Sequence, residues 1–346
     1  MNKPPFAYKW YLKDGYPAPN IEKHGLKVYT TFSCGGGSSM GYKLAGYNVI
    51  GANDIDPQMT KVYQENHKPK FYDLCPIGDL LTKDLPEEYY DLDILDGSPP
   101  CSTFSISGQR EKAFKKDKVF REGQAKQVLS DLFFDWIKLV DKLNPKVAIA
   151  ENVKGMLFGN AKAYTSTVLK KIDKIGYDVQ LFCLNGASMG LPQKRERIFF
   201  ICKRKDLNLP KLTLEFNEKP ILFKEIEDKD DIEEIKNRET RTYKGWLAAK
   251  PDQSFRDGLG DGGSMFGYVK ISLNSIVRTL VSSNGTSEFH PTIFRKLNTI
   301  EISQAGSFPL DYNYLDVSPE YLIGMSVPPV MTAQIAYQIY LQLFKQ

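Results

Sequence analysis

Short apolar runs alternate with amphipathic stretches through the first two hundred residues of the chain, and this alternation limits the fold more than any other feature. The amphipathic stretches are clearest at residues 127–143 and 164–175, and Gly176 follows the second one as a predicted helix C-cap. The runs predicted as strands are residues 27–32, 48–52, 92–96, 147–151, 178–184 and 198–202. Such alternation is typical of an α/β fold with a doubly wound, mostly parallel sheet.

The alternation stops after Lys203. Residues 204–277 show no clear period, and they contain an acidic stretch at 225–234 and a glycine-rich one at 257–267. Residues 203–277 carry fourteen basic and fourteen acidic side chains, so this part of the chain is neutral. The sequence therefore predicts a loop-rich insert, either as a separate small domain or as an extension of the large one. A closing helix with proline at its start is predicted at 328–344.

Several protein classes are excluded by composition. No apolar run is long enough to cross a bilayer, and the N-terminus lacks the apolar stretch of a signal peptide, so we expect a cytoplasmic protein. The five cysteines are an odd number without a CxxC pair, and the three histidines lie far apart. We therefore expect neither a disulfide framework nor a metal centre.

A basic segment stands out against the modest net charge of +4. Residues 109–126 hold seven lysines and arginines against three acidic residues, an excess equal to that of the whole chain. A solvated surface loop and a loop that contacts phosphates both fit this charge.

Glycines follow the first predicted strand in a form that suits a bound ligand. Gly35, Gly36 and Gly37 lie between this strand and a short helix, where backbone amides can approach a ligand closely. Asp54, at the end of the second strand, would suit the hydroxyl pair of a ribose. Glycine clusters also form simple turns, so this pattern alone leaves both interpretations open.

A cysteine follows the third predicted strand on a turn that two prolines make rigid. The turn reads Ser98-Pro99-Pro100-Cys101, and the carboxyl ends of strands line the ligand crevice of a doubly wound sheet. A lone cysteine is usually a small buried hydrophobic residue. A cysteine held in a crevice can instead be a nucleophile if nearby donors stabilise its thiolate.

Charged residues follow two further strands. Glu151 ends the apolar run Val-Ala-Ile-Ala, so its carboxylate is either a structural acceptor or a group that holds a proton near neutral pH. Arg195 and Arg197 precede the run Ile-Phe-Phe-Ile-Cys and would share one side of an extended segment. Paired arginines are usually surface charge, but they can also read an anion or a base.

In this order and spacing, the motifs resemble those of DNA cytosine-5 methyltransferases of the bacterial or phage type. The resemblance extends through nearly the whole chain and is weakest at residues 204–277, which in this family form the variable target recognition domain. The matching motifs are the FxxxGG loop at 32–37, Asp54, GDL at 78–80, PPCSTFSISG at 99–108, LFFD at 132–135, NPKVAIAENVKGM at 144–156, LPQKRERIFFI at 191–201 and GMSVPP at 324–329.

The resemblance implies an architecture. It is the Rossmann-like fold of S-adenosylmethionine-dependent methyltransferases with a smaller, loop-rich target recognition domain. The catalytic and cofactor-binding domain would comprise residues 1–203 and 318–346, and the target recognition domain and hinge residues 204–317. The implied partner is double-stranded DNA, and we expect a monomer. Whether a cognate restriction endonuclease acts separately beside it is left open.

The resemblance also implies catalytic roles. Cys101 matches the nucleophile that attacks C6 of cytosine, which makes C5 reactive. Glu151 matches the acid that contacts N3 and the exocyclic amine. Arg197 matches the residue at the O2 edge, and Arg195 a neighbouring support. Because a base inside a duplex cannot reach a buried thiol, the target must be flipped out of the helix.

For the cofactor, the resemblance implies S-adenosyl-L-methionine as methyl donor and S-adenosyl-L-homocysteine as product. Asp54 would hold the ribose and Asp79 the adenine amine. The full set of expected cofactor residues is Phe32, Ser33, Cys34, Gly35, Gly37, Asp54, Ile55, Asp79, Leu80, Pro100, Leu132, Ser326 and Val327.

For DNA, the basic segment 109–126 matches the loop that closes over the flipped base in this family, and Ser107 matches a residue near the vacated stack. Residues 204–277 are expected to read base edges because they are neutral, although their arginines could instead pair with the acidic stretch 225–234. The candidate DNA contacts are Ser107, Arg110, Lys115, Lys116, Arg241 and Arg256, and Arg238 and Lys244 are further candidate base readers.

The chain departs from the family pattern at three positions. Cys34 stands where the loop usually has its first glycine, Met325 where an asparagine is usual, and Gly306 where a glutamine is usual. None of the three touches the expected chemistry, but they leave the detail of the cofactor pocket and hinge open.

Three rival functions fit the sequence less well. A tRNA methyltransferase of the same family would carry a Cys-Phe-Thr signature, whereas residues 204–277 contain no cysteine. A binding protein that lost catalysis would lack the Pro-Cys or Glu-Asn pair, and both are present. A nicotinamide oxidoreductase would explain the glycine loop only.

Overall fold

The computed structural model describes residues 6–100, 132–159, 161–263, 267–282 and 287–345, together with the backbone of residues 117–118 and 127–128. Its large sheet contains β1 (Lys27–Thr31), β2 (Asn48–Asp54), β3 (Phe71–Leu74), β4 (Ile94–Gly97), β5 (Val147–Val153), β6 (Tyr177–Asn185) and β7 (Glu196–Arg204). The strand order is β3-β2-β1-β4-β5-β7-β6. Only β7 runs antiparallel to its two neighbours within this sheet. The predicted doubly wound, mostly parallel sheet is therefore confirmed.

Helices connect these strands and cover both faces of the sheet. In chain order they are α1 (Gly37–Leu44), α2 (Pro57–His67), α3 (Asp79–Thr82), α4 (Leu132–Leu143), α5 (Ala161–Lys174), α6 (Arg241–Ala248), α7 (Phe255–Leu259), α8 (Thr299–Ala305), α9 (Pro319–Met325) and α10 (Pro329–Ile339). The final turn, Tyr340–Phe344, continues α10 as a π-helix. None of the helices in the described part of the chain combines the length and apolar character needed to span a membrane.

Two details of the sequence prediction are wrong. The edge strand β3 was missed, because its four residues are all at least partly exposed and form no apolar run. The helix predicted from residue 127 is observed from Leu132, and residues 127–128 instead pair antiparallel with residues 117–118. The apolar residues before Leu132 keep a helical spacing, although residues 127–128 belong to a short antiparallel ladder.

Side chains that alternate along the central strand β1 build the two layers of the core. Val28 belongs to a cluster that includes Met40 of α1 and Met331 of α10, on one face of the sheet. Its neighbour Tyr29 belongs to a second cluster with Trp136 of α4, on the opposite face. Since successive residues of a strand point to opposite faces, β1 is buried on both sides.

The segment after β7 is divided between two cores. Leu212, Leu214, Phe223 and Ile226 pack into the same cluster as Val28, so the first part of the segment belongs with the large sheet. A separate aromatic cluster follows, which joins α6 and α7 to the two-residue strand β9 (Glu288–Phe289), itself paired with β8 (Val269–Lys270). Its buried members are Trp246, Ala249, Phe255, Phe289 and Phe294. The domain division at residue 204 stays a prediction.

Candidate functional site

A narrow cleft of about 20 Å³ lies beside β1 and β4, where the strand order reverses. Ligands of doubly wound sheets bind outside the carboxyl ends of the strands at this switch point. The cleft brings together six of the predicted cofactor residues with five others. Its lining residues are Thr31, Phe32, Ser33, Cys34, Gly37, Ser38, Asp96, Ser98, Met325, Ser326 and Val327.

The loop between β1 and α1 is shaped by close packing that only glycine permits. A β-carbon on Gly37 would collide with the carbonyl oxygen of Val327, and one on Gly36 would collide with the ring of His67. Gly36 also has a φ of 79°. Cys34 adopts a φ of 46° in the same left-handed region, so the cysteine occupies a conformation that glycine usually takes. Burial raises the pKa of its thiol to about 12.

Asp54 fixes this loop to the end of β2. One carboxylate oxygen accepts a hydrogen bond from the amide of Cys34 at 2.7 Å, and the other accepts from the amides of Ile55 and Asp56 at 2.7 and 2.9 Å. Burial raises the pKa of Asp54, although the three amide bonds oppose the shift. The side chain predicted to hold a ribose is therefore also a loop anchor.

The back of the loop is held by α2 and by the segment before α9. The hydroxyl of Tyr312 donates to the carbonyl oxygen of Gly35 at 2.6 Å, and the His67 ring lies 3.3 Å from the same oxygen. Burial lowers the pKa of His67 well below its usual value, and the ammonium group of Lys43 adds to that shift. A neutral imidazole therefore packs behind the cleft.

The other predicted cofactor residues lie near strand ends but do not line the cleft. Asp79 is exposed at the start of α3, next to the buried Leu80, and Leu132 is buried at the start of α4. Pro100 is half-buried on the turn after β4.

The catalytic cysteine of the prediction, Cys101, lies outside the described residues, as do Ser107, Arg110, Lys115 and Lys116. The turn that leads to Cys101 is described as far as Pro100. The side-chain amide of Asn152 donates to the carbonyl oxygen of Pro99 at 3.0 Å, which joins the end of β5 to this turn. The sequence alone does not reveal this role of the Glu-Asn pair.

Glu151 and Arg197 face one another at the ends of β5 and β7. The Nε atom of Arg197 lies 2.9 Å from a carboxylate oxygen of Glu151, and their side chains are 15% exposed for Arg197 and 12% for Glu151. The structure thus pairs the predicted acid directly with the predicted O2 reader. Two partly buried charges that neutralise one another leave a site in which a polar base edge can compete for either group.

Arg195 is buried and lies apart from that pair. Its guanidinium donates to the carbonyl oxygens of Leu280, Gly324 and Ser326 at 2.9, 3.1 and 2.9 Å. Burial lowers the pKa of Arg195, and the charge of Arg197 adds to the shift. Because Ser326 lines the cleft, Arg195 connects β7 to the cleft wall through the backbone.

The structure shows the surroundings of Gly306 and Met325, two of the departures from the family pattern. A β-carbon on Gly306 would collide with the side chain of Ile323, so no larger residue fits there without movement. Met325 lines the cleft and is 49% exposed.

The predicted base readers differ in their contacts. Arg241 pairs with Asp261, and Arg238 pairs with Glu234 of the acidic stretch. Arg256 is exposed and has no ion pair within the described residues. The acidic stretch instead binds mainly to Arg295 and Asn298, both close to α8.

One buried carboxylate in the cleft was missed by sequence analysis. Asp96, near the end of β4, is 4% exposed, and one carboxylate oxygen accepts a hydrogen bond from the hydroxyl of Tyr42 at 3.0 Å. Burial raises its pKa to about 7. The only sequence signal was its position five residues before Cys101.

Comparison with known proteins gives consistent results. The sequence model described as "C-5 cytosine-specific DNA methylase" matches residues 26–341. The type II methyltransferase M.NgoPII of Neisseria gonorrhoeae is 28% identical over 348 residues, which cover 91% of this chain and 95% of that protein. M.FnuDI of Fusobacterium nucleatum is 32% identical over 213 residues, which cover 61% of this chain and 56% of that protein.

Solved structures are similar in fold. A prophage-encoded E. coli protein described as a DNA modification methyltransferase superposes with a TM-score of 0.68 at 19% identity, and covers 92% of this chain and 99% of its own. A mutant DNMT2 of Spodoptera frugiperda gives 0.64 at 16% identity, with 91% and 100% covered. At these identities the similarity establishes the fold alone.

Proposed function

The chain belongs to the C-5 cytosine-specific DNA methylase family, and we propose that it methylates C5 of one cytosine in a specific double-stranded DNA sequence, with S-adenosylmethionine as donor. We further propose that Cys101 forms a covalent bond to C6 of a cytosine that has been flipped out of the duplex. The observation that carries the proposal is the hydrogen bond between Asn152 and Pro99, at 3.0 Å. It joins the strand that bears Glu151 to the turn that precedes Cys101, beside the cleft lined by Ser98.

The residues of the cleft match, in their chemistry, the amino-acid end of an adenosyl amino acid. The start of α1 has no side-chain cap, so its first amides are available for a carboxylate. Gly37 lines the cleft and packs against the carbonyl oxygen of Val327, while Asp54, the proposed ribose ligand, holds the loop behind the cleft through the amide of Cys34. When bound, S-adenosylmethionine supplies a methyl group that is activated by a sulfonium.

The chain's own residues would then act on the base. The Cys101 thiolate adds to C6, the π pair of C5–C6 forms a C4–C5 double bond, and the π pair of C4–N3 is taken up as a proton binds N3, so that C5 becomes a nucleophilic enamine carbon. Glu151 holds a proton at N3 of the base and contacts the exocyclic amine, while Arg197 contacts O2. After C5 is methylated, a base removes its proton, the C5–C6 double bond reforms and the Cys101 thiolate leaves.

A duplex with 5-fluorocytosine at the target tests this function, because fluorine cannot leave as the C5 proton does. The target is first located by bisulfite sequencing of DNA from cells that express the protein. The wild type should form a stable protein–DNA adduct on that duplex, whereas Cys101→Ala should form none and still bind DNA. Methylation at a normal rate by Cys101→Ala would overturn the covalent mechanism. Transfer of labelled methyl groups to tRNA but not to DNA would show that the proposed DNA substrate is wrong.

A further inference from the structure

Asp96 lines the cleft, and the proposed chemistry gives it no role. It is the only charged residue among the described residues that line the cleft, and it is 4% exposed. Its strand, β4, lies at the centre of the sheet between β1 and β5. A carboxylate in such a place must be compensated, because removing a charge from water is costly.

The groups around Asp96 compensate its charge only in part. The hydroxyl of Tyr42 donates to one carboxylate oxygen at 3.0 Å, and the Ser38 hydroxyl also hydrogen-bonds to the group. Burial raises the pKa of Asp96 to about 7, and the negative charge of Glu151 contributes to the shift. No lysine or arginine within the described ranges forms an ion pair with it. Its full compensation therefore requires either a proton or a cationic ligand.

Donors lie on another wall of the same cleft. Helix α1 begins at Gly37 after Gly36, which provides no side-chain cap, and no acidic residue occupies the first turn. The first amide of α1 that donates within the helix is that of Met40, to the carbonyl oxygen of Gly36, so the amides of Gly37 and Ser38 remain available to an anion. Both residues line the cleft together with Asp96. One narrow space thus combines a carboxylate with amide donors, which is the complement of an amino-acid zwitterion.

We propose that Asp96 binds the α-ammonium group of the amino-acid tail of S-adenosylmethionine, while the amides at the start of α1 bind the α-carboxylate. This inference rests on the proposed function, because it takes the adenosyl donor as the occupant of the cleft. It makes Asp96 a binding residue for substrate and product alike, since S-adenosylhomocysteine carries the same tail. The sulfonium, which only the donor has, is not the group that Asp96 recognises.

Isothermal titration of the full-length protein tests the contact without turnover. Wild type, Asp96→Asn and Tyr42→Phe are each titrated with three probes: S-adenosylhomocysteine, its desamino analogue and 5′-methylthioadenosine, which has no amino-acid tail. Asp96→Asn should weaken S-adenosylhomocysteine by roughly ten- to hundredfold, since a buried charged hydrogen bond becomes a neutral one. It should change 5′-methylthioadenosine by less than about twofold, within the usual effect of a change that leaves the bound groups untouched.

The desamino analogue lacks the α-ammonium group, so it pairs a change in the ligand with the change Asp96→Asn in the protein. It should bind the wild type as weakly as S-adenosylhomocysteine binds Asp96→Asn, and the substitution should cost it nothing further. Tyr42→Phe serves as the matched control, because it removes the hydroxyl that holds Asp96 but keeps the carboxylate. It should weaken S-adenosylhomocysteine less than Asp96→Asn does. If Asp96→Asn fails to fold, the wild type alone still tests the contact. Equal affinity of the wild type for S-adenosylhomocysteine and for its desamino analogue would refute it.

Three results would overturn the inference. These are unchanged affinity of Asp96→Asn for S-adenosylhomocysteine, an equal loss for S-adenosylhomocysteine and its desamino analogue, and a loss for 5′-methylthioadenosine as large as that for S-adenosylhomocysteine. The proposed function fails differently. A wild type that binds S-adenosylhomocysteine but methylates no DNA would refute the reaction and leave the ammonium contact standing. A wild type that binds no adenosyl ligand would refute both.

Discussion

The arginines beside the cleft and those of residues 237–294 are stabilised in opposite ways. Arg195 is buried and donates to three backbone carbonyl oxygens, so its position is determined by the fold around it. Arg238 and Arg241 have side chains 59% and 45% exposed, and each pairs with a single surface carboxylate. Exposed pairs contribute little to stability, so a nucleic acid can replace such a carboxylate at small cost.

The difference indicates which contacts can be exchanged. Near the cleft, the side chain of Arg195 is held in one orientation by its hydrogen-bond partners. Such fixed geometry is expected where reacting atoms must be placed accurately. Arg238, Arg241 and Arg256 of residues 237–294 lie outside the buried aromatic cluster and keep their charged ends exposed. A change near the cleft should therefore affect rate or folding, whereas a change in the second region should affect which DNA is recognised.

Glu151→Gln should give the largest effect. The variant keeps the shape of the side chain but loses the carboxylate that Arg197 contacts and the acid that the proposed reaction needs. We expect kcat to fall by about 10²- to 10⁴-fold, while DNA affinity changes little. Single-turnover transfer of a labelled methyl group to DNA measures the rate.

The matched control is Glu196→Gln, at the start of β7. Glu196 pairs with Lys154 at 2.8 Å, and the side chains are 48% exposed for Glu196 and 38% for Lys154. We expect its rate to stay within about twofold of the wild type, because exposed pairs contribute little. Equal losses in the two variants would show that charge at the strand ends matters, and not a contact between Glu151 and the base.

Arg195→Met should show that an arginine near the cleft contributes more to stability than an arginine of residues 237–294. The variant leaves the carbonyl oxygens of Leu280, Gly324 and Ser326 without their donor in a buried place. We expect the free energy of unfolding to fall by about 2–4 kcal/mol, measured by urea titration. Arg241→Met, which removes an exposed pair, should leave the urea midpoint unchanged. A larger shift for Arg241→Met would reverse the comparison.

Much of the sheet could be predicted because six of its strands are apolar runs in the sequence. The edge strand β3 could not, since its position depends on contacts distant in sequence. The carboxylate of Asp73 accepts hydrogen bonds from the hydroxyls of Tyr29 and Tyr89 at 2.5 and 2.6 Å. The helices α6 and α7 were missed for another reason. They are eight and five residues long, too short to show a reliable period.

The residues of the candidate site show the same difference between features of local sequence and features that depend on distant contacts. The positions of the glycine loop, of the prolines before Cys101 and of Glu151 could be predicted because each lies at the carboxyl end of an apolar strand. The roles of Asp96 and Asn152 could not, because their partners Tyr42 and Pro99 lie 54 and 53 residues away in sequence. The anchoring of the loop by Asp54 was hidden as well, since a carboxylate that binds backbone amides looks the same in sequence as one that binds a ribose.

Exchange of residues 237–294 for the equivalent segment of a relative with a known target tests recognition. These bounds enclose the aromatic cluster and leave Leu212, Leu214, Phe223 and Ile226 with the large sheet. Ile271, Val277 and Leu280 lie within the bounds but also pack with the large sheet, so they are kept unchanged in the exchange. The chimera should methylate the donor's sequence, with discrimination of roughly 1–3 kcal/mol per base pair. A folded, active chimera that keeps the preference of this chain would place specificity elsewhere.

Within that segment, Arg256→Ala should relax the preference at one base pair, because Arg256 has no competing ion pair in the described part of the chain. Arg241→Ala should do so less, since Asp261 already holds the Arg241 side chain. Methylation of a library with every base varied in turn measures both. Equal, uniform loss across all sequences would make both arginines phosphate contacts.

The basic segment 109–126 gives a smaller, salt-dependent effect. Replacing Lys115, Lys116 and Lys118 with alanine should reduce the slope of log affinity against log salt by about one unit for each phosphate that the variant no longer neutralises. If all three lysines bind phosphates, the variant and wild type should differ in salt response by roughly fortyfold across a fourfold rise in salt. DNA binding measured by fluorescence anisotropy at several salt concentrations gives the slope. An unchanged slope would mean that this charge is only solvated.

The smallest expected effect is the pH dependence of S-adenosylhomocysteine binding. Asp96 must be ionised to bind an ammonium group, and burial raises its pKa to about 7. The charged and titratable groups around it are Tyr42 of α1, Tyr63 of α2 and Glu151 of β5. Affinity should therefore approach its full value about one unit above pH 7 and should fall by about tenfold between pH 7.5 and pH 6, where the α-ammonium of the ligand stays protonated.

Two variants identify the group that titrates. Asp96→Asn should bind weakly at both pH values and lose this dependence. Glu151→Gln should keep the dependence but move it to lower pH, because it removes a negative charge that raises the pKa of Asp96. Titration calorimetry between pH 5.5 and 7.5 measures both. If the dependence survives in Asp96→Asn and disappears in Glu151→Gln, the titrating group belongs to the catalytic pair, and the cleft carboxylate is a structural acceptor for Tyr42.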